Sequence, residues 1–148
     1  MMPRPGQKYI IALAAQPNLV LDSSGNSMER CKLIIYGNNQ GENQKWMFVP
    51  SQNGAFCIVN CRDQGTLEIP DYSQAQQGTQ CHVAQPNGTI NEMWHVQPQG
   101  QGVAILSAHN QMGLNVSGGQ NNFRNEADVI IWPFSGDINE VWGLIPTN

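Results

Sequence analysis

The chain has 148 residues, enough for one domain of ordinary size and no more. Only 12% of the residues are charged and the net charge is −4, which excludes the clustered Lys and Arg of a nucleic-acid binder. A hydrophobic content of 40% excludes a disordered chain, and no apolar run approaches the ~20 residues that span a bilayer as a helix.

Reading from the N-terminus, Lys8 followed by Tyr9 through Ala15 has the outline of a short export signal with an Ala-x-Ala end. The same stretch opens a repeat, however, and Ile10-Ile11 is needed there as a strand. Cleavage after Ala14 or Ala15 would remove that strand and expose an edge, so the signal reading is rejected. Copy one continues with Leu19-Val20-Leu21, Leu33-Ile34-Ile35 and Asn43-Gln44-Lys45-Trp46. Copy two runs through Ile58-Val59, Leu67-Glu68-Ile69, Cys81-His82-Val83 and Asn91-Glu92-Met93-Trp94. Copy three runs through Ile105-Leu106, Leu114-Asn115-Val116, Val129-Ile130-Ile131 and Asn139-Glu140-Val141-Trp142. The three Trp residues are 48 apart, and a proline follows each four residues on, at Pro50, Pro98 and Pro146.

Each copy reads as four short strands broken by turn residues, because 15 Gly and 9 Pro oppose helices and no helical period is present. One copy cannot bury its own apolar face, whereas three around a shared axis can. The expected fold is all-β: a β-trefoil of three pseudo-symmetric repeats, about residues 7–52, 53–99 and 100–147, forming a single domain over 1–148. Trp46, Trp94 and Trp142 are expected as matching parts of the core, each burying ~150–250 Å².

With these repeats in view, the chain resembles the ricin B-type lectin family, and most of all its soluble fungal and other eukaryotic members. The resemblance rests on the Gln-x-Trp repeat, intact at Gln44-Lys45-Trp46 and altered to Glu-x-Trp at Glu92 and Glu140, and it spans about Gln7 to Thr147. It implies a non-catalytic agglutinin for terminal galactose or N-acetylgalactosamine on glycoproteins or glycolipids. Each repeat would hold one shallow site: a polar acceptor, an aromatic ring ten residues before the Trp, and the Asn before the motif. The chemistry suits a pyranose, which offers one face of C–H groups and a rim of hydroxyls.

Carried onto this chain, the resemblance gives Asp22, Tyr36, Asn39, Asn43 and Gln44 for copy one. Copy three gives Asn115, Trp132, Asn139 and Glu140. A strict repeat alignment puts Val20 in the acidic position and Asp22 two residues along, where Asp22 could equally cap the turn at Ser23-Ser24-Gly25. Copy two keeps only Glu68 and Asn91 as weaker candidates, because Ala84 stands where the ring should be.

Other chemistries find little support. His82, His95 and His109 read as structural or surface residues, and neither a phosphate loop nor a nucleophile elbow is present. No metal and no cofactor are expected. A protease inhibitor using the loop Asp71–Gly78 remains an alternative, as does a protein-binding trefoil without sugar sites. Cys31, Cys57, Cys61 and Cys81 lack zinc-site spacing and read as reduced, half-buried thiols. With the sequon at Asn115-Val116-Ser117 inside an expected sugar site, this favours synthesis in the cytosol, export by a non-classical route being left open. Single-sugar sites bind at about 1 mM, so useful avidity calls for several sites on one chain or a homodimer.

Overall fold

Tryptophans spaced through three similar segments dictate a core shared between those segments. In the computed structural model, which describes residues 2–25 and 31–148, this is how the chain is built. Repeat one contributes β1 (Lys8–Leu13), β2 (Gln16–Ser23), β3 (Cys31–Gly37) and β4 (Trp46–Pro50). Repeat two contributes β5 (Phe56–Asn60), β6 (Thr66–Glu68), β7 (His82–Ala84) and β8 (Trp94–Gln99). Repeat three contributes β9 (Gly102–Ser107), β10 (Gly113–Val116), β11 (Val129–Trp132) and β12 (Trp142–Thr147).

The first and last strands of each repeat close a six-stranded antiparallel barrel. Around it β1 pairs β4, β4 pairs β5, β5 pairs β8, β8 pairs β9, β9 pairs β12, and β12 returns to β1. Closure leaves none of these six strands with an unpaired side. The middle strands form three hairpins, β2–β3, β6–β7 and β10–β11, which cap one end. The hairpins are joined by Leu33 N–H to Cys81 O, Cys81 N–H to Val129 O and Ile35 N–H to Ala127 O, each 3.0 Å. The result is the expected β-trefoil.

The three tryptophans fasten barrel to cap. Trp46, Trp94 and Trp142 are fully buried, and their indole N–H groups donate to Leu21 O at 3.3 Å, Leu67 O at 3.1 Å and Leu114 O at 3.2 Å. These bonds make Leu21, Leu67 and Leu114 equivalent, and with them Asp22, Glu68 and Asn115. The alignment of Leu19-Val20-Leu21 with the later copies is thereby corrected by two residues. Hairpin length differs between copies, so a fixed period misplaces β2 while preserving its inward face.

A second correction concerns the opening strands. Tyr9, Phe56 and Val103 each pair with the Trp of their own repeat, so Ile11, Ile58 and Ile105 are the equivalent core residues. Ile10 lies one residue out of register and points to the other face, in a small cluster with Ala12 and Val20. The segment resembling an export signal forms β1 and part of the turn after it. None of the four thiols is joined in a disulfide; Cys31 and Cys81 are buried and only Cys57 and Cys61 half-buried.

Candidate functional site

Strand alternation places side chains two apart on one face, and that rule assembles the outer surface of each hairpin. In repeat one Asp22 lies opposite Ile34, and Tyr36 follows two residues along β3. The loop after β3 then folds back through a short 3-10 turn at Glu42–Gln44. Its Asn43 Nδ2 donates to Asp22 Oδ1 at 3.1 Å and to Ser23 O at 3.3 Å. Gly41 permits this arrangement, since a Cβ there would lie 2.6 Å from Asn43 Oδ1 and 2.9 Å from Asn39 Oδ1. An open depression of about 500 Å³ results, lined by Asp22, Tyr36, Asn39 and Asn43.

Gln44 belongs behind this surface, not on it. It is fully buried; its Nε2 donates to Asp22 Oδ2 at 2.9 Å and Gly37 O at 3.0 Å, and its Oε1 accepts from Asn39 N–H at 2.9 Å. Glu140 is buried in the same way, and its Oε1 accepts from Ser135 N–H at 3.0 Å and Ser135 Oγ at 2.7 Å. The expectation that Gln44 and Glu140 touch ligand is therefore corrected: each is buried and holds the loop that carries Asn43 or Asn139. Gln44→Leu would orphan several buried polar groups at about 1–3 kcal/mol each. A urea unfolding series is expected to show a loss of about 2–4 kcal/mol, with affinity falling at the Tyr36 site alone.

Burial pushes the Asp22 carboxyl above its ordinary value, against the hydrogen bonds from Gln44 and Asn43 and the positive charge of Arg62. Each Asp22 oxygen accepts one internal bond, which leaves lone pairs free to take hydroxyl protons.

Repeat three repeats the plan with altered chemistry. Asn115 lies opposite Ile130, and its Oδ1 accepts from Asn139 Nδ2 at 3.1 Å. Trp132 is 40% exposed, so its ring is available as a platform. With Ser117, Ser135 and Asp137 these residues line a depression of about 280 Å³. Asp137 stands where repeat one has Gly41. It supplies an exposed carboxylate that the sequence reading passed over, although its position two residues before Asn139 could have drawn notice.

In repeat two Glu68 and Asn91 are both about 4% exposed. Asn91 turns its amide to Ile69 O at 3.0 Å and its oxygen to the Thr89 hydroxyl, and Ala84 offers no ring. The loop Asp71–Gly78 is mostly exposed and is anchored to the rest of the fold at two points. Tyr72 packs edge-on against His109, and Gly78 N–H bonds Ile131 O at 2.8 Å. Among the described residues no group of three or more His, Cys, Asp or Glu could hold a metal ion.

Two residues at the repeat-one site come from elsewhere in the chain. Arg62 reaches it from the turn after β5, and Glu126 from the loop before β11. Alignment within a repeat cannot find such residues, because it compares each copy only with its own counterparts.

A family model described as "Ricin-type beta-trefoil lectin domain-like" matches residues 3–84 and 42–132. No curated protein sequence matches the chain. Among solved structures, the designed threefold-symmetric protein ThreeFoil is similar at TM-score 0.85 and 22% identity, over 93% of this chain and 97% of that one. The Macrolepiota procera ricin B-like lectin, solved with lactose, is similar at TM-score 0.82 and 19% identity, over 99% and 100%. An exo-beta-1,3-galactanase from Clostridium thermocellum is similar at TM-score 0.88 and 22% identity, but the chain spans only 31% of its length.

Proposed function

The chain belongs to the ricin-type β-trefoil lectin domain family, and on that footing we propose that it is a non-catalytic lectin for terminal galactose or N-acetylgalactosamine. It binds through repeats one and three and leaves repeat two silent. The observation that carries this reading is the recurrence of one outward-facing set: a ring (Tyr36 or Trp132), a hairpin acceptor (Asp22 or Asn115), and an Asn (Asn43 or Asn139) bonded to that acceptor. The ring takes the C–H face of the sugar while the acceptor and the amide take its hydroxyls. Asn39 extends the polar rim of the first site, and Asp137 that of the second. Glu68 and Asn91 lack a ring beside them, since Ala84 stands in its place, and Asn91 spends its amide on Ile69 O. We propose synthesis in the cytosol, with export by a non-classical route left open.

Titration with methyl β-galactoside, followed by NMR at both rings, tests the reading at its two sites separately. At neutral pH both sites are expected to bind near ~1 mM. The repeat-one site should lose affinity as acid protonates Asp22, beginning above pH ~3.9 where an ordinary Asp titrates. The fold does not confound this result through Asp22. A carboxyl raised in the folded state contributes stability that is present in acid and lost as pH rises through its folded pKa. An absence of shifts at both rings would remove the lectin reading.

A further inference from the structure

Glu126 and Gly78 occupy equivalent places in neighbouring repeats. Glu126 N–H donates to Ile35 O on β3 at 2.9 Å, and Gly78 N–H donates to Ile131 O on β11 at 2.8 Å. Each residue therefore sits beside the ring of the repeat that follows it around the axis: Glu126 beside Tyr36, Gly78 beside Trp132. Both adopt left-handed backbone, with φ of +72° and +92°. Glycine takes that conformation freely, whereas a side chain is strained there. Repeat three thus places a carboxylate where the local backbone favours glycine and where its own counterpart is glycine.

The side chain is aimed onto the first site by rigid surroundings. Ile35 N–H returns a bond to Ala127 O, and Asn125 Oδ1 accepts from Gly37 N–H at 2.8 Å, so the loop is stapled to β3 on both sides of Glu126. Across the depression Arg62 spends its donors on Gly25 O, Ser23 Oγ and Asp63 Oδ2. The exposed Glu126 carboxylate has no such partner among the described residues. At the Trp132 site the corresponding space is bare, since a Cβ on Gly78 would already lie 3.7 Å from the ring.

We infer that Glu126 is a specificity-determining residue, which makes the repeat-one site read the saccharide residue next to the terminal one. Asp22, Asn43 and Tyr36 hold the terminal sugar, and Glu126, delivered from another repeat, accepts hydroxyl protons from its neighbour in a neutral glycan. The larger depression here, about 500 Å³ against 280 Å³, gives that second residue room. A glycan with a carboxylate at this position is repelled. The inference rests on the lectin reading above and adds a subsite to it.

The test uses the full chain carrying Trp132→Ala, which isolates the first site, with galactose and lactose as probes. Lactose is expected to bind about five- to tenfold more tightly than galactose, the gain of one charge-assisted contact. Glu126→Gly should bring that ratio to about one through a loss on lactose, and hold or raise Tm. Glu126→Gln should keep part of the preference, since an amide oxygen still accepts. An unchanged lactose-to-galactose ratio in Glu126→Gly overturns the inference while the lectin reading stands. A drop in Tm with no change in ratio assigns Glu126 to the fold instead. If neither sugar binds the Trp132→Ala parent, the reading at this site and the inference both fall.

Discussion

Replacing Tyr36 and Trp132 together by alanine is expected to abolish agglutination while leaving the fold intact. Among the described residues each ring is the one aromatic side chain lining its site, and its loss is worth about 1.4–2.8 kcal/mol, ten- to hundredfold in affinity. From a starting affinity near ~1 mM this puts both sites beyond detection, and cross-linking fails because it needs two sites at once. Trp132 is 40% exposed and Tyr36 half-buried, so the melting temperature should hold near the parental value. Erythrocyte agglutination and thermal unfolding read the two quantities separately. Persistent agglutination in the double variant would place sugar contacts elsewhere, and a large fall in Tm would make the rings structural.

Trp94→Ala is expected to do the opposite. This ring lies at the heart of repeat two, fully buried, with its N–H given to Leu67 O at 3.1 Å. Truncation leaves a cavity and an unsatisfied carbonyl, at a cost of about 3–5 kcal/mol. A domain of this size has about 5–15 kcal/mol in total, so the variant should unfold at a much lower urea concentration. Where it still folds, sugar affinity at Tyr36 and Trp132 should be unchanged. A loss below about 1 kcal/mol would mean that the barrel and cap are not held together through this residue.

The contrast between these two variants shows what the sequence makes legible. Trp46, Trp94 and Trp142 recur at one spacing because a shared core tolerates little variation in the residues that fill it. The rings at Tyr36 and Trp132 keep a fixed distance from those tryptophans, so they could be found the same way. Asp22 was harder to place, since hairpin length varies between copies and only the indole bond to Leu21 O fixes the register. Ile10 and Ile11 are both apolar, so composition alone could not say which one faces the barrel interior. Gln44 and Glu140 stand beside the contacts in sequence yet behind them in space. Arg62 and Glu126 were illegible for a different reason: they serve a repeat to which they do not belong.

Ala84 in repeat two has a consequence for whatever the protein assembles. With repeats one and three as the proposed binding faces, one copy of the chain is a connector with two arms. Such connectors join two-armed carriers into open threads, and a mesh requires a third arm from one partner or the other. Whether mixtures of such a two-armed connector stay fluid or set into a gel is then decided by the branching of the glycan carrier.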